Sequence, residues 1–116
     1  MYRRIMHNPE LLKGTLQTII LKLLEDHGRM YGYEITQKVK ELSAGKLVLT
    51  EGALYPTLHK LEAEGLLVTE RESFGKRVRK YYKLTETGRS SVLTRVNEFE
   101  AFIRTMFHVL QIQPQL

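Results

Sequence analysis

Arg77 and Arg79 stand two residues apart in the stretch FGKRVRKYYKL, with Lys76 just ahead of them beside Gly75. On an extended strand that spacing aims both guanidinium groups to one side, as a ribbon tracking a line of phosphates requires. Across residues 66–83 six cations (Arg71, Lys76, Arg77, Arg79, Lys80, Lys83) stand against two carboxylates, Glu70 and Glu72. Just upstream, Tyr55, His59 and Lys60 lie in TEGALYPTLHKLEAEG, whose spacing is helical and whose outward face is small at its N-terminal end. Side chains of these types can hydrogen-bond base edges or phosphate oxygens. A helix able to enter a major groove, followed by a basic hairpin, is the pattern of a winged helix-turn-helix. Each half also has a plainer reading: a solvated helix face, and an edge strand defended by charge.

The rest of the composition is compatible with a polyanionic partner. The chain has 116 residues, a net charge of +5, 42% hydrophobic and 27% charged residues, and no cysteine. That suits one domain with a true core and excludes a disulfide framework or a thiolate metal site. No apolar run is long enough to span a membrane, and MYRRIMHNPE has no signal-type apolar segment behind its basic residues. The expectation is a cytoplasmic protein without a membrane partner.

These groups must be positioned by helices and a hairpin. Asn8-Pro9 opens a first helix, Leu12, Leu16, Ile19, Ile20, Leu23 and Leu24 form its apolar face, and Gly28 closes it. Gly14-Thr15 offers a second start within it. A second helix begins near Tyr31-Gly32, buries Ile35, Val39 and Leu42, and stops at Ser43-Ala44-Gly45. Residues 46–49 form an apolar connector that could supply a single strand. Thr50 caps a third helix that runs to about Glu64, with Gly65 as its stop. On a helical wheel Leu54, Leu58 and Leu61 face inward, while Gly52, Pro56, His59 and Ala63 face outward, with Tyr55 and Lys60 on the flanks. Gly52 and Ala53 would allow close approach to DNA, and Pro56 could kink the helix by leaving the Gly52 carbonyl unpaired. Residues 66–73 form a strand, Phe74-Gly75-Lys76 a turn, and residues 77–84 the return. There Arg77, Arg79, Tyr81 and Lys83 share one face and Val78, Lys80, Tyr82 and Leu84 the other.

Thr85 caps a last helix that runs to about Ile112, roughly 40 Å long. Val92, Val96, Phe99, Ile103, Met106 and Leu110 form a heptad-like seam on it, widened by Leu93, Phe102, Phe107 and Val109. A three-helix domain of this size cannot cover so much apolar surface, which points to a partner chain; the alternative is a helix folded back on its own domain. Catalysis finds no support. Asp26 is the sole aspartate, the four histidines are scattered without ligand spacing, and no phosphate loop of the G-x-x-x-x-G-K type occurs. No catalytic residue, metal site or cofactor is expected.

Several segments follow one another in a specific order over residues 11–89. They are Leu12-Lys13-Gly14-Thr15-Leu16, Gly32-Tyr33-Glu34-Ile35, Gly52-Ala53-Leu54-Tyr55-Pro56-Thr57-Leu58-His59-Lys60-Leu61-Glu62 with Gly65-Leu66, and the basic residues 75–85 with Gly88. In them the chain resembles the PadR family of bacterial transcriptional regulators, and its single short C-terminal helix looks like the smaller subfamily. The resemblance implies a homodimer of winged helices that represses transcription at an operator. In some members repression is relieved by a small molecule, such as a phenolic acid or a lipophilic drug. Some members hold planar ligands between the C-terminal helices of the dimer, about where Phe99 stands here. Two positions depart from the family pattern: Tyr31 stands where histidine is common before Gly-Tyr-Glu, and tryptophan, which stacks ligands in some relatives, is absent.

The expected fold is therefore mainly α with a small β-hairpin: a winged helix-turn-helix over residues 1–84 and a C-terminal dimerisation helix over residues 85–116, in one compact unit. The expected DNA-binding set is Tyr33, Gly52, Ala53, Tyr55, Pro56, His59, Lys60, Lys76, Arg77 and Arg79. Val92, Val96, Phe99, Ile103, Met106 and Leu110 form the expected dimer seam, with Phe99 also facing any effector. Two other classes stay open: a winged-helix module that binds another protein, which a gel shift on the chain's own upstream DNA would separate, and a small-molecule sensor whose DNA contact is secondary.

Overall fold

Residues 9–113 are described by the computed structural model, so the Asn8 cap and Pro114 lie outside the described residues. The second helical start at Gly14-Thr15 is the one that seats the core. Pro9–Lys13 (α1) and Leu16–His27 (α2) are separate helices. Between them the Thr15 amide and hydroxyl both donate to the Leu12 carbonyl, at 2.9 and 3.0 Å. Leu16, Ile20, Leu21, Leu23 and Leu24 are buried along one broad face of α2.

Gly32–Leu42 (α3) buries Ile35 and Val39, but Leu42, expected inside, is 67% exposed. The helix ends at that residue, and the chain then reverses through Ala44 and Gly45, both at positive φ, so no element covers it. The connector at residues 46–49 is not a strand; it is pinned by the Leu47 amide donating to Ser43 Oγ at 2.9 Å, and Leu49 plugs the core. The extra strand is Met30–Tyr31 (β1), directly before α3. It pairs antiparallel with the return strand of the hairpin, Met30 opposite Tyr82 and Tyr31 opposite Tyr81.

Glu51–Ala63 (α4) starts where Thr50 Oγ1 accepts from the Ala53 amide at 3.2 Å, and it continues unbroken through Pro56. Leu54, Leu58 and Leu61 are at most 1% exposed. Burying each is worth about 1.5–3 kcal/mol, which fixes how α4 is rotated on its axis. Leu67–Phe74 (β2) and Arg77–Leu84 (β3) form the hairpin around a two-residue turn, Gly75-Lys76, with Gly75 at φ 61. Glycine first in a two-residue loop matches a type II′ turn. Phe74, expected in the turn, is instead the last strand residue and pairs with Arg77. The sheet order is β1-β3-β2. The fold is thus mainly α with a small antiparallel sheet, a winged helix-turn-helix with a long helix behind it.

Glu86–Leu110 (α5) is joined to the end of α4 by backbone contact. The Thr85 amide donates to the Leu66 carbonyl at 3.1 Å, and the Thr85 hydroxyl donates to the Gly65 carbonyl at 2.6 Å and accepts from the Gly88 amide at 3.0 Å. Gly88 makes this approach feasible. A β carbon there would overlap the Leu66 carbonyl oxygen and lie 3.0 Å from its carbon. Because the obstacle is backbone, it cannot rotate away. Gly88→Ala should therefore destabilise the fold by about 1–3 kcal/mol, the usual range for overpacking. Gly14→Ala, where an added β carbon meets nothing within 4 Å, is the control. Thermal melts at equal protein concentration should show a large drop in midpoint for the first and little change for the second.

Candidate nucleic-acid interface

The outward face of α4 presents Gly52, Pro56, His59 and Lys60 to solvent. Tyr33, in the first turn of α3, is 64% exposed. These five expected residues are open surface. The first turn of α4 also keeps backbone amides free of helical partners, the usual place for a phosphate to dock.

Ala53 and Tyr55 behave differently from the expectation. Both are drawn partly inward and pack against the core. The Tyr55 ring leans over the start of α3, where a β carbon on Gly32 would overlap its hydroxyl and lie 2.9 Å from Cζ. The reason is rotation: with Leu54 and Leu58 fully buried, Tyr55 falls on the edge of the inward stripe. Tyr55 therefore sets the crossing of α3 and α4, and of its near neighbours it is His59, 6.4 Å away between ring centroids, that reaches the outer surface.

The hairpin sorts its charges by distance from the core. Along its middle Arg29, immediately before β1, pairs with Glu72 and, at 3.8 Å, with Glu70, while nearer the base Lys83 pairs with Glu70 at 2.9 Å. The Lys83 hydrogen bond, helped by the Lys83 and Arg29 charges, holds the Glu70 carboxyl below its ordinary pKa. Both hairpin carboxylates are thus committed to partners. Toward the tip Lys76 and Arg77 are exposed, with no ion pair among the described residues. Arg79, expected to grip phosphate freely, is half-buried and its guanidinium lies over two rings, 4.5 Å from the centre of Tyr31 and 5.0 Å from that of Phe74. A hydrogen bond to Tyr81, then the Tyr31, Tyr81 and Glu34 charges, raises its pKa further.

Two cations that sequence reasoning counted but did not assign also emerge. Arg71 and Lys80 lie directly opposite each other on the other face of the hairpin, without an acidic partner among the described residues. Like charges placed so are unfavourable in isolation and are relieved by an anion. The two-residue offset of a strand pair was the available signal, but it needed the register.

Along α5 the expected seam divides. Val92 is 3% exposed and belongs to the protomer's own core, and Val96 packs against that core, so neither has much surface to give a partner. The Arg95 guanidinium reinforces this packing by donating to Gln17 Oε1 at 2.9 Å. Beyond them nothing on α5 is buried: Phe99, Ile103, Met106 and Phe107 are half-exposed, and Leu93, Phe102, Val109 and Leu110 are more than half exposed. Phe99 and Phe102 line an open groove of about 900 Å³ between α5 and the start of α2, with Thr18 and Thr94. Among the described residues no group of three or more acidic or histidine side chains could hold a metal ion, and no helix is long and apolar enough to cross a membrane.

Comparison with known proteins places this surface in context. The family model described as the transcriptional regulator PadR-like family matches residues 20–93. The transcriptional regulator Rv3488 of Mycobacterium tuberculosis is 43% identical over 83 residues, covering 72% of this chain and 74% of that protein. Among solved structures, a transcriptional regulator from Clostridium thermocellum superposes with a TM-score of 0.77 at 28% identity, over 84% of this chain and 94% of that one. A PadR family transcriptional regulator from Eggerthella lenta gives 0.72 at 28% identity, over 87% and 82%.

The dual position of Tyr55 has a measurable consequence. Tyr55→Ala should cost about 2–3 kcal/mol in urea unfolding, somewhat below the range for a fully buried aromatic. Tyr55→Phe should stay close to wild type in stability, because the ring does the packing.

Proposed function

The chain belongs to the PadR-like family of transcriptional regulators, and on that premise we propose that it is a repressor that binds an inverted-repeat operator as a homodimer. The observation that carries the DNA-binding face is the pairing of two open surfaces: the outer side of α4 with Gly52, Pro56 and His59, and the wing-tip cations Lys76 and Arg77, which have no ion pair among the described residues. The first can read base edges and the second can neutralise phosphate. Tyr33 and Lys60 flank them and add backbone contacts. Regulators of this family are DNA-binding proteins rather than enzymes.

Dimerisation is supported by the uncovered apolar length of α5. Phe99, Phe102, Ile103, Met106 and Leu110 are left half-exposed or exposed along α5, and a second α5 is their natural cover. A two-fold axis would then repeat the DNA-reading face, which demands a symmetric operator. The groove beside Phe99 and Phe102 suits a small aromatic or lipophilic effector whose binding alters the angle between protomers. Such a protein works in the cytoplasm, beside the chromosome, and its lack of cysteine fits a reducing compartment.

Light scattering at micromolar concentration should give twice the 13.6 kDa mass of the chain. Replacing Phe99 and Ile103 together with glutamate should return a folded monomer with weakened operator binding. A monomeric wild type would refute the dimer.

The division of labour between wing and helix is read from salt titrations on a genomic fragment selected for binding and on random duplex. Arg77→Ala should weaken both DNAs alike and lower the slope of log affinity against log salt by about 1. His59→Ala should lose about 1–3 kcal/mol on the selected fragment, the range for a base contact, and much less on random DNA. The reading fails if Arg77→Ala keeps the wild-type slope while His59→Ala loses both DNAs equally.

A further inference from the structure

Tyr31 lies outside the residues that sequence and family resemblance assign to DNA, yet it touches both halves of the interface. It is the last residue of β1 and the cap of α3, where its amide donates to Glu34 Oε1 at 3.1 Å. Its ring meets Tyr81 edge-on at 5.5 Å and an interplanar angle of 87°. The Arg79 guanidinium also lies over the Tyr31 ring, and it covers Phe74 at the far end of β2.

What holds Arg79 there is not a carboxylate. Its cross-strand neighbour is Glu72, but Glu72 is bound by Arg29, whose own guanidinium stacks 4.2 Å above Tyr81. Arg79 has no ion pair of its own among the described residues, so the two rings, with its hydrogen bond to Tyr81, set its position. A guanidinium lying over aromatic faces keeps its N–H edges available. Apart from the one hydrogen bond to Tyr81, the stack therefore fixes the side chain without consuming its donors, and ordering a long side chain in advance removes an entropy cost from binding.

We propose that Tyr31 and Phe74 are positioning residues for DNA binding: their rings clamp Arg79, and the clamp ties the wing tip that carries Lys76 and Arg77 to the start of α3 beside Tyr33. This rests on the DNA-binding reading above. Neither aromatic needs to touch the nucleic acid. Each acts through Arg79, which spans the gap between the helix-turn-helix and the far end of the hairpin.

The full chain with Tyr31→Leu or Tyr31→Phe tests this, because neither substitution changes charge. Affinity for random duplex is measured over a range of salt. With the clamp lost, Tyr31→Leu should lower the slope of log affinity against log salt by about 1 to 2, as the tip cations cease to be held at phosphate. Tyr31→Phe, which keeps the ring, should restore wild-type slope and affinity. A partly unfolded variant binds less at every salt concentration without a change of slope, so a merely structural role is separated. The Arg79 Nε–Hε resonance supplies a readout without DNA: ring-shifted in wild type and Tyr31→Phe, and close to the free-arginine position in Tyr31→Leu. An unchanged slope in Tyr31→Leu overturns the proposal, as does an unshifted arginine resonance in the wild type. Absence of any salt-dependent DNA binding by the wild type overturns the DNA reading itself, and the positioning role with it, even where the shifted resonance shows the clamp intact.

Discussion

The surface proposed to face DNA depends on a missing side chain at Gly32. Only because no β carbon stands there can the Tyr55 ring close over the start of α3, which brings the middle of α4 against the helix that precedes it. The neighbouring residue works outward from the same corner. Tyr31 pairs with Tyr81 in the sheet and carries Arg79 on its ring. Two consecutive residues thus join the helix-turn-helix on one side and the hairpin on the other, and the reading helix and the wing are held by one short piece of backbone.

A second close approach links that surface to the long helix. Gly88 lets α5 sit on the Leu66 carbonyl, and Thr85 hydrogen-bonds the turn that ends α4. Only the cap Thr85 separates β3 from α5. A change in how α5 packs would therefore be transmitted to α4 through backbone rather than through a soft side-chain interface. If the proposed effector binds the groove beside Phe99, that is the route by which its occupancy would bear on the proposed DNA-reading face.

Much of this was legible in the sequence where the governing pattern is local. Thr50 as a cap, the 54-58-61 leucine stripe, the Gly75 turn and the alternating cations each lie within a few residues, where helical or two-residue periodicity decides the outcome. The misses share a different cause. β1 has two residues, too few to display alternation, and exists only because β3 offers a partner. Leu42 and Val92 obey helical spacing, but whether such a residue is covered depends on which element lies nearby. Tyr55, on the flank of the helical wheel, and Arg79, on the charged face by two-residue alternation, read as free to meet DNA. The structure engages Tyr55 with Gly32 and Arg79 with Tyr31, residues far away in the chain, contacts that no spacing rule encodes.

The central claim is that a rigid reading face, built on the 31–32 corner, is duplicated by a two-fold axis through α5. Hydroxyl-radical footprinting on a fragment selected from the source genome tests it most directly. Two protected patches should appear on one face of the duplex, related by a dyad and centred about 34–36 Å apart or at a multiple of that distance. A single asymmetric patch protected at full affinity would contradict it.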